Sequence, residues 1–299
     1  FILNREKKNL ILDFLTFVNI FFIILRLRPK IIHLISIKPY LYGGIIARLL
    51  KIEGVVSSVS GLGNALSMKS TKTFTTRIFL KPLFAFALKK KNQYIIVQNK
   101  SDERFLINWL QLNPEKIIKT NGSGVKISKI SAASEDTKTP VISLAARLIY
   151  DKGVAEFVQV ARAFRERKIN ANFWVIGEVD HGNPKSISQI ELQAWAKEPN
   201  VTFFGYQEDV ISLYLKSSIV CLPSYYGEGM PKSLLEAAAC GRPIVTTDLP
   251  GCRDTILPGK TGLLVPPRDI DELRRALEIL VLNPNTRQQY GKAARLHAE

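Results

Sequence analysis

The sequence is poor in the residues that build metal centres and disulfide frameworks. Its 299 residues include three cysteines and three histidines. Cys221, Cys240 and Cys252 are odd in number and lack metal-ligand spacing, and His33, His181 and His297 are scattered. That excludes a disulfide scaffold and points to buried, reduced thiols. No Asp-x-Asp pair lies near the segment 221–248, so no metal and no other cofactor is expected. No Gly-x-Gly-x-x-Gly follows a predicted strand, which argues against a dinucleotide-dependent dehydrogenase. No RNA- or DNA-binding motif is present, and nucleic acid is not an expected partner. No secretory leader is visible. The chain opens on Phe1 rather than Met, no Gly-rich loop follows an opening strand, and the sequence ends inside a helical pattern at Glu299. The first domain is therefore expected to be truncated.

Acidic residues are scarce in one half alone. Residues 1–139 hold 23 Lys+Arg against 8 Asp+Glu, a net +15, whereas residues 140–299 hold 19 against 18, a net +1. A basic half implies an anionic partner, and an anionic membrane surface is the reading favoured here. The most apolar run, residues 10–25, carries Asp13 and Asn19 and is short for a membrane span. It reads as a buried helix, or alternatively as an interfacial helix whose basic end, Arg26, Arg28 and Lys30, meets headgroups. Residues 67–91 interleave seven Lys and Arg with Phe74, Ile78, Leu83 and Phe86, as a basic amphipathic helix would. At 299 residues the chain suits two domains, 1–130 and 140–299, with the polar stretch 130–139 as linker. Short apolar strands alternate with amphipathic helices throughout, which predicts doubly wound parallel sheets.

The chain is organised around Cys221-Leu-Pro-Ser-Tyr-Tyr-Gly-Glu-Gly-Met-Pro-Lys-Ser-Leu-Leu-Glu-Ala-Ala-Ala-Cys-Gly-Arg-Pro-Ile-Val-Thr-Thr-Asp248. An apolar strand ends near Leu222, and Pro, Ser and Gly break the pattern. Pro231 opens a helix, Gly241 closes it, and a second strand follows. Glu228 lies in the loop, at the carboxyl end of a strand, where open α/β sheets bind ligands. The helix start around Lys232 and Ser233 presents N–H groups to an anion such as a diphosphate. Glu236 lies one helical stretch farther and can accept hydrogen bonds from ribose hydroxyls. An ordinary crossover helix with Glu236 on its wet face is the plainer alternative.

The run E-x7-E followed by A-A-A-C-G-R-P-I-V-T-T-D resembles the donor site of family 4 retaining glycosyltransferases with the GT-B fold. The resemblance implies two Rossmann-like domains facing a cleft, an N-terminal acceptor-binding domain and a C-terminal donor-binding domain. Arg147 and Lys152 stand in a segment similar to the family's "GRL…KG", whose cations neutralise a departing nucleotide. Gly177 ends a strand as in "VGxG", and Phe204 and Gly205 end another whose backbone and rings can frame a base. Gly229 and Met230 complete the donor loop. In the first half, Lys38 keeps the lysine of "DVVHSHTPK", Gln98-Asn99 with Asp102 is similar to "FQN…D", and Gly124 belongs to a match of "GSGVD" in which Lys126 replaces Asp. Ser60-Gly-Leu-Gly-Asn64 lacks the histidine many members carry. It resembles instead transferases that extend undecaprenyl-diphosphate-linked sugars, which places Gly61 and Gly63 at the acceptor or the interdomain cleft unless they form only a tight turn.

The reading is a hexosyltransferase taking a nucleotide-sugar donor, UDP-linked before GDP-linked, and a lipid-linked glycan acceptor. Arg147, Lys152 and Glu228 are the expected catalytic residues, and the enzyme is expected to sit peripherally on the cytoplasmic face of the cell membrane. Phosphorolysis, epimerisation and non-catalytic nucleotide-sugar binding are the alternatives.

Overall fold

A computed structural model describes residues 10–62, 71–131, 139–225 and 227–299, with Leu10 and residues 71–76 by their backbone alone. Gly63, the start of the basic segment with Lys69, the side chains of Lys72 and Phe74, and most of the expected linker (132–138) lie outside the described residues. The chain divides into two compact units, Phe1–Gly122 with Gly227–Met230, and Ser123–Tyr226 with Pro231–Glu299.

The first unit is a parallel sheet of β1 (Ile31–Ile35), β2 (Gly54–Val59), β3 (Gln93–Val97) and β4 (Ile117–Lys119), in that order. Its helices are α1 (Leu10–Leu27), α2 (Ile37–Leu49), α3 (Thr71–Leu88) and α4 (Lys100–Leu110). Strand residues of one parity, Leu34, Val55, Val59, Ile95 and Val97, share a core with Tyr40 and Ile46 of α2, Phe84 of α3 and Leu106 of α4. The described helices thus lie on one face. The side chains of opposite parity, Ile31, Ile35, Tyr94 and Ile118, are exposed. Gly44 lets α2 meet α3, because a Cβ there would stand 2.5 Å from the Ala87 carbonyl oxygen.

One expectation changes here. Residues 10–25 do form a helix, but not a buried one: among its described side chains Ile24 alone is buried, while Ile11, Phe14, Leu15, Phe22 and, just beyond, Leu27 are exposed. Helix α2 starts at Ile37. Pro39 falls in its first turn, where a missing N–H leaves no hydrogen bond unmade, and Lys38 sits on that helix.

The second unit has six parallel strands in the order β10-β9-β8-β5-β6-β7. They are β5 (Val141–Ala145), β6 (Asn172–Ile176), β7 (Val201–Gly205), β8 (Ile219–Leu222), β9 (Ile244–Thr247) and β10 (Gly262–Val265). Both faces are covered, as continuous apolar strands require. One face packs on α5 (Val154–Glu166) and α9 (Ile270–Leu282) through Phe157, Phe164, Leu273 and Leu277. The other packs on α7 (Val210–Leu215), α8 (Lys232–Ala239) and α10 (Pro284–Ala298) through Tyr214, Leu234, Ala238 and Ala294. A short helix, α6 (Gln189–Trp195), joins β6 to β7 behind a Ser188/Glu191 capping box. This is the doubly wound sheet the alternating pattern predicts. The strand order reverses between β5 and β8, and a crevice at such a switch point is where open α/β sheets hold ligands.

Candidate active site

In the second unit the loop after β5 carries the two predicted cations. It leaves the sheet by bonding to the loop after β6: Ala146 N–H donates to Ile176 O (3.0 Å), Leu148 to Glu178 (2.9 Å) and Tyr150 to Lys185 (3.0 Å). A single 3₁₀ turn, Tyr150–Lys152, follows and ends in Gly153 at φ 75°. Arg147 reaches back to Asp180 and stays half exposed. Lys152 is half-buried at the end of the turn, directly before α5.

The turn is tied on its other side to the loop after β8. Ser224 Oγ and Tyr225 N–H both donate to the Asp151 carbonyl, at 3.1 and 2.9 Å. The Asp151 side chain is 5% exposed and accepts from Lys185 Nζ at 2.6 Å. Thr247 Oγ1 donates to Ser224 O. A Cβ on Gly153 would stand 2.3 Å from Pro223 O, so no other residue fits between the two loops. Around this frame the titrations are shifted. The Tyr150 phenol donates to Glu191, and that bond, more than burial, pushes its pKa to about 12. Bonds from Ser188 and then Tyr150 lower the Glu191 carboxyl. Burial raises Tyr225, and the Glu156 carboxylate raises it further; the Arg268 guanidinium, 4.2 Å from the ring centroid, opposes both.

Gly177 and Gly205 are brought together by a backbone bond, Gly177 N–H to Gly205 O at 2.8 Å. Phe204 is half-buried edge-on to Trp174 at 5.0 Å, and Tyr206 beyond it is exposed. On α8, Pro231 is the N-cap. Lys232 pairs with Glu236 one turn on, at 3.3 Å, with Glu236 18% exposed. Beneath them Tyr214 is fully buried, its phenol pKa raised by burial first and then by Glu236.

Of the remaining predicted residues that are described, Ser233 follows Lys232 on α8 and Gly124 is also in the second unit, while the others are in the first. Gly227–Met230 belongs to that unit. Met230 N–H donates to Gln98 Oε1 at 3.0 Å, and Asn99 Nδ2 donates to the carbonyls of Glu228 (3.5 Å) and Gly229 (3.3 Å). Asn99 is itself the N-cap of α4, accepting from Asp102 N–H. Gly61 and Gly229 cross so closely that a Cβ on Gly61 would stand 2.6 Å from Gly229 N. Two glycines predicted for separate roles thus share one backbone crossing. Gln98 and Asn99 had a sequence signal, the Gln-Asn-x-x-Asp run, but no assigned task; they hold the backbone that carries Glu228. Lys38 is paired with Asp13 of α1 at 2.7 Å. Gly124, in the second unit at φ 70°, faces open space.

The sequence and the fold both have counterparts among known proteins. A family model described as "Glycosyl transferases group 1" matches residues 126–297, and one described as "Glycosyl transferase 4-like" matches residues 3–99. The N,N'-diacetylbacillosaminyl-diphospho-undecaprenol alpha-1,3-N-acetylgalactosaminyltransferase of Campylobacter jejuni is 30% identical over 270 residues, 86% of this chain and 69% of the relative. The UDP-Gal:alpha-D-GlcNAc-diphosphoundecaprenol alpha-1,3-galactosyltransferase of Escherichia coli is 25% identical over 283 residues, 90% and 70%. An Anabaena protein crystallised with UDP-glucose superposes with a TM-score of 0.75 at 16% identity, covering 96% of this chain and 77% of that one. That likeness concerns the fold, which is GT-B.

Proposed function

Because the chain belongs to the group 1 glycosyl transferases, we propose that it moves a hexosyl unit, with retention at the anomeric carbon, from a UDP-sugar to a lipid-linked glycan in the assembly of a bacterial surface polysaccharide. The observation that carries this reading is the placement of Arg147 and Lys152 on the loop after β5, beside the β5/β8 switch point. Two relatives whose printed names specify diphospho-undecaprenol acceptors, one of them with UDP-Gal as donor, support the choice of substrates.

In this reaction the bond from C1 of the sugar to the diphosphate breaks. The acceptor oxygen bonds to C1 on the face the diphosphate leaves, and the acceptor proton passes to the departing diphosphate oxygen. No protein base is required. The developing charge falls to Arg147, Lys152 and the N-terminus of α8 at Lys232 and Ser233, the type of term that dominates such barriers. Arg147 is now held by Asp180, but the guanidinium is half exposed. Exposed pairs contribute about 0–1 kcal/mol, so exchanging Asp180 for a diphosphate is cheap. Glu228 contacts the donor sugar and Glu236 the ribose. Gly177, Phe204 and Gly205 frame the base, and Gly229 and Met230 shape the loop. Gly61, Gly63, Lys38 and Gly124 are assigned to the acceptor side.

The acceptor reaches the enzyme from an anionic membrane surface, on whose cytoplasmic side the protein is peripheral. Among the described residues no helix is long and apolar enough to cross a membrane. The helix layer of the first unit offers Phe14, Phe22, Phe79 and Phe86 exposed, with Arg26, Arg28, Arg48 and Lys89 among its cations.

Release of nucleotide from UDP- and GDP-sugars, with and without a lipid-linked acceptor, tests the reading. Acceptor-dependent UDP release is expected, with the anomeric configuration of donor and product the same. Lys152→Ala is expected to lower turnover about 100- to 1000-fold, as for a lost oxyanion donor. Wild-type turnover in that variant contradicts the role given to Lys152.

A further inference from the structure

We propose that Lys185 is a positioning residue for the donor site, acting through Asp151. This rests on the donor-site reading above but concerns residues to which that reading gives no task. Lys185 lies on the loop after β6 and grips the 3₁₀ turn twice. Its carbonyl accepts from Tyr150 N–H at 3.0 Å, and its ammonium meets the Asp151 carboxylate at 2.6 Å. The carboxylate is 5% exposed while the ammonium is 48% exposed. The buried partner is therefore the one that cannot turn to water if the pair breaks. Asp151 in turn offers its carbonyl to Ser224 Oγ and Tyr225 N–H, the two donors that fix the loop after β8. Its next neighbour is Lys152.

One peptide unit thus ties together three loops, its own and those after β6 and β8, all at the carboxyl ends of the strands. Lys185 fixes the carboxylate. The carboxylate fixes the Asp151 backbone. The backbone sets both where Lys152 points and where the loop toward Glu228 leaves the sheet. Gly153 seals the arrangement, because its contact with Pro223 O leaves no room for the turn to slide. An interaction that places a charge-stabilising ammonium contributes to the transition state more than to the bound ground state. Lys185 should therefore act on kcat more than on KM.

Lys185→Gln, Lys185→Arg and Ser224→Ala test this. In Lys185→Gln, kcat is expected to fall about tenfold with KM for the donor within about twofold, and Lys185→Arg is expected to restore most of the loss. Ser224→Ala removes one tie from the other side and is expected to lower kcat in the same sense; it decides the question if Lys185→Gln does not fold. Hydrogen exchange supplies a readout independent of turnover. The amide of Tyr225, which donates to Asp151, is expected to exchange faster in Lys185→Gln and at the wild-type rate in Lys185→Arg. Unchanged exchange in Lys185→Gln, a loss confined to KM, or an arginine variant as impaired as the glutamine one overturns the proposal. Faster exchange in Lys185→Gln, alongside a wild-type protein that turns over no nucleotide sugar, keeps the clamp and overturns the donor reading instead.

Discussion

In the first turn of α5, the Glu156 carboxyl is buried and no donor reaches its Oε2 atom. Burial raises its pKa, partly offset by its own backbone N–H and by Arg268. A carboxyl whose pKa is raised by folding destabilises the native state once it must ionise, above the folded pKa, and has no such effect below the unfolded pKa, where both states are protonated. Glu156→Gln is therefore expected to raise Tm at pH 8 and to leave it unchanged at pH 4, checked by thermal unfolding at the two pH values. A variant less stable at pH 8 would mean that Arg268 outweighs burial. Burial likewise raises the Cys221 thiol and pushes Cys240 up to about 12, and Cys221, Cys240 and Cys252 are all buried. The residues assigned to the site each stand in a short contiguous run, which is the kind of signal a sequence can carry. Their partners do not. Asp180 for Arg147 and Asp13 for Lys38 are 33 and 25 positions away, and spacing in sequence carries no trace of such pairs.

Elements fared unevenly for physical reasons. Strands β5 and β8 are buried at every position, so a short apolar run bounded by Pro and Gly sufficed to find them. Helix α1 misled, because hydrophobicity reports what a segment would prefer to do, and exposure depends on which neighbours are present. Helix α2 accommodates Pro39 because in a first turn the missing N–H has no helical partner to lose. Three arginines were missed altogether. Arg242, Arg287 and Arg295 donate to carbonyls at the ends of α7, α9 and α8 respectively, at Leu215, Leu280 and Ala239. They staple helix C-termini where the macrodipole favours a cation. The junction between the 3₁₀ turn and α5 depends on a single residue. Gly153→Ala adds a Cβ 2.3 Å from Pro223 O at a φ of 75°. It is expected to destabilise the second unit by about 2 kcal/mol or more, read as a lower denaturant midpoint. An unchanged midpoint would show that the two loops can part without loss.

Across the whole molecule charge is distributed very unevenly, net +15 over residues 1–139 and +1 over residues 140–299. The cations Arg26, Arg28, Arg48, Lys51 and Lys89 accompany the exposed apolar side chains of the first unit's helix layer. Sedimentation with anionic vesicles is expected at low salt and should decline as ionic strength passes about 0.15 M, where the Debye length falls to about 8 Å. Equal pelleting with neutral vesicles would show that charge plays no part. The same concentration of cations has a second effect. Crowded like charges push the first unit apart when counter-ions are dilute, so added electrolyte tightens its fold while loosening its hold on lipid. The two responses run in opposite directions, and catalytic output should peak at an intermediate ionic strength instead of rising or falling monotonically.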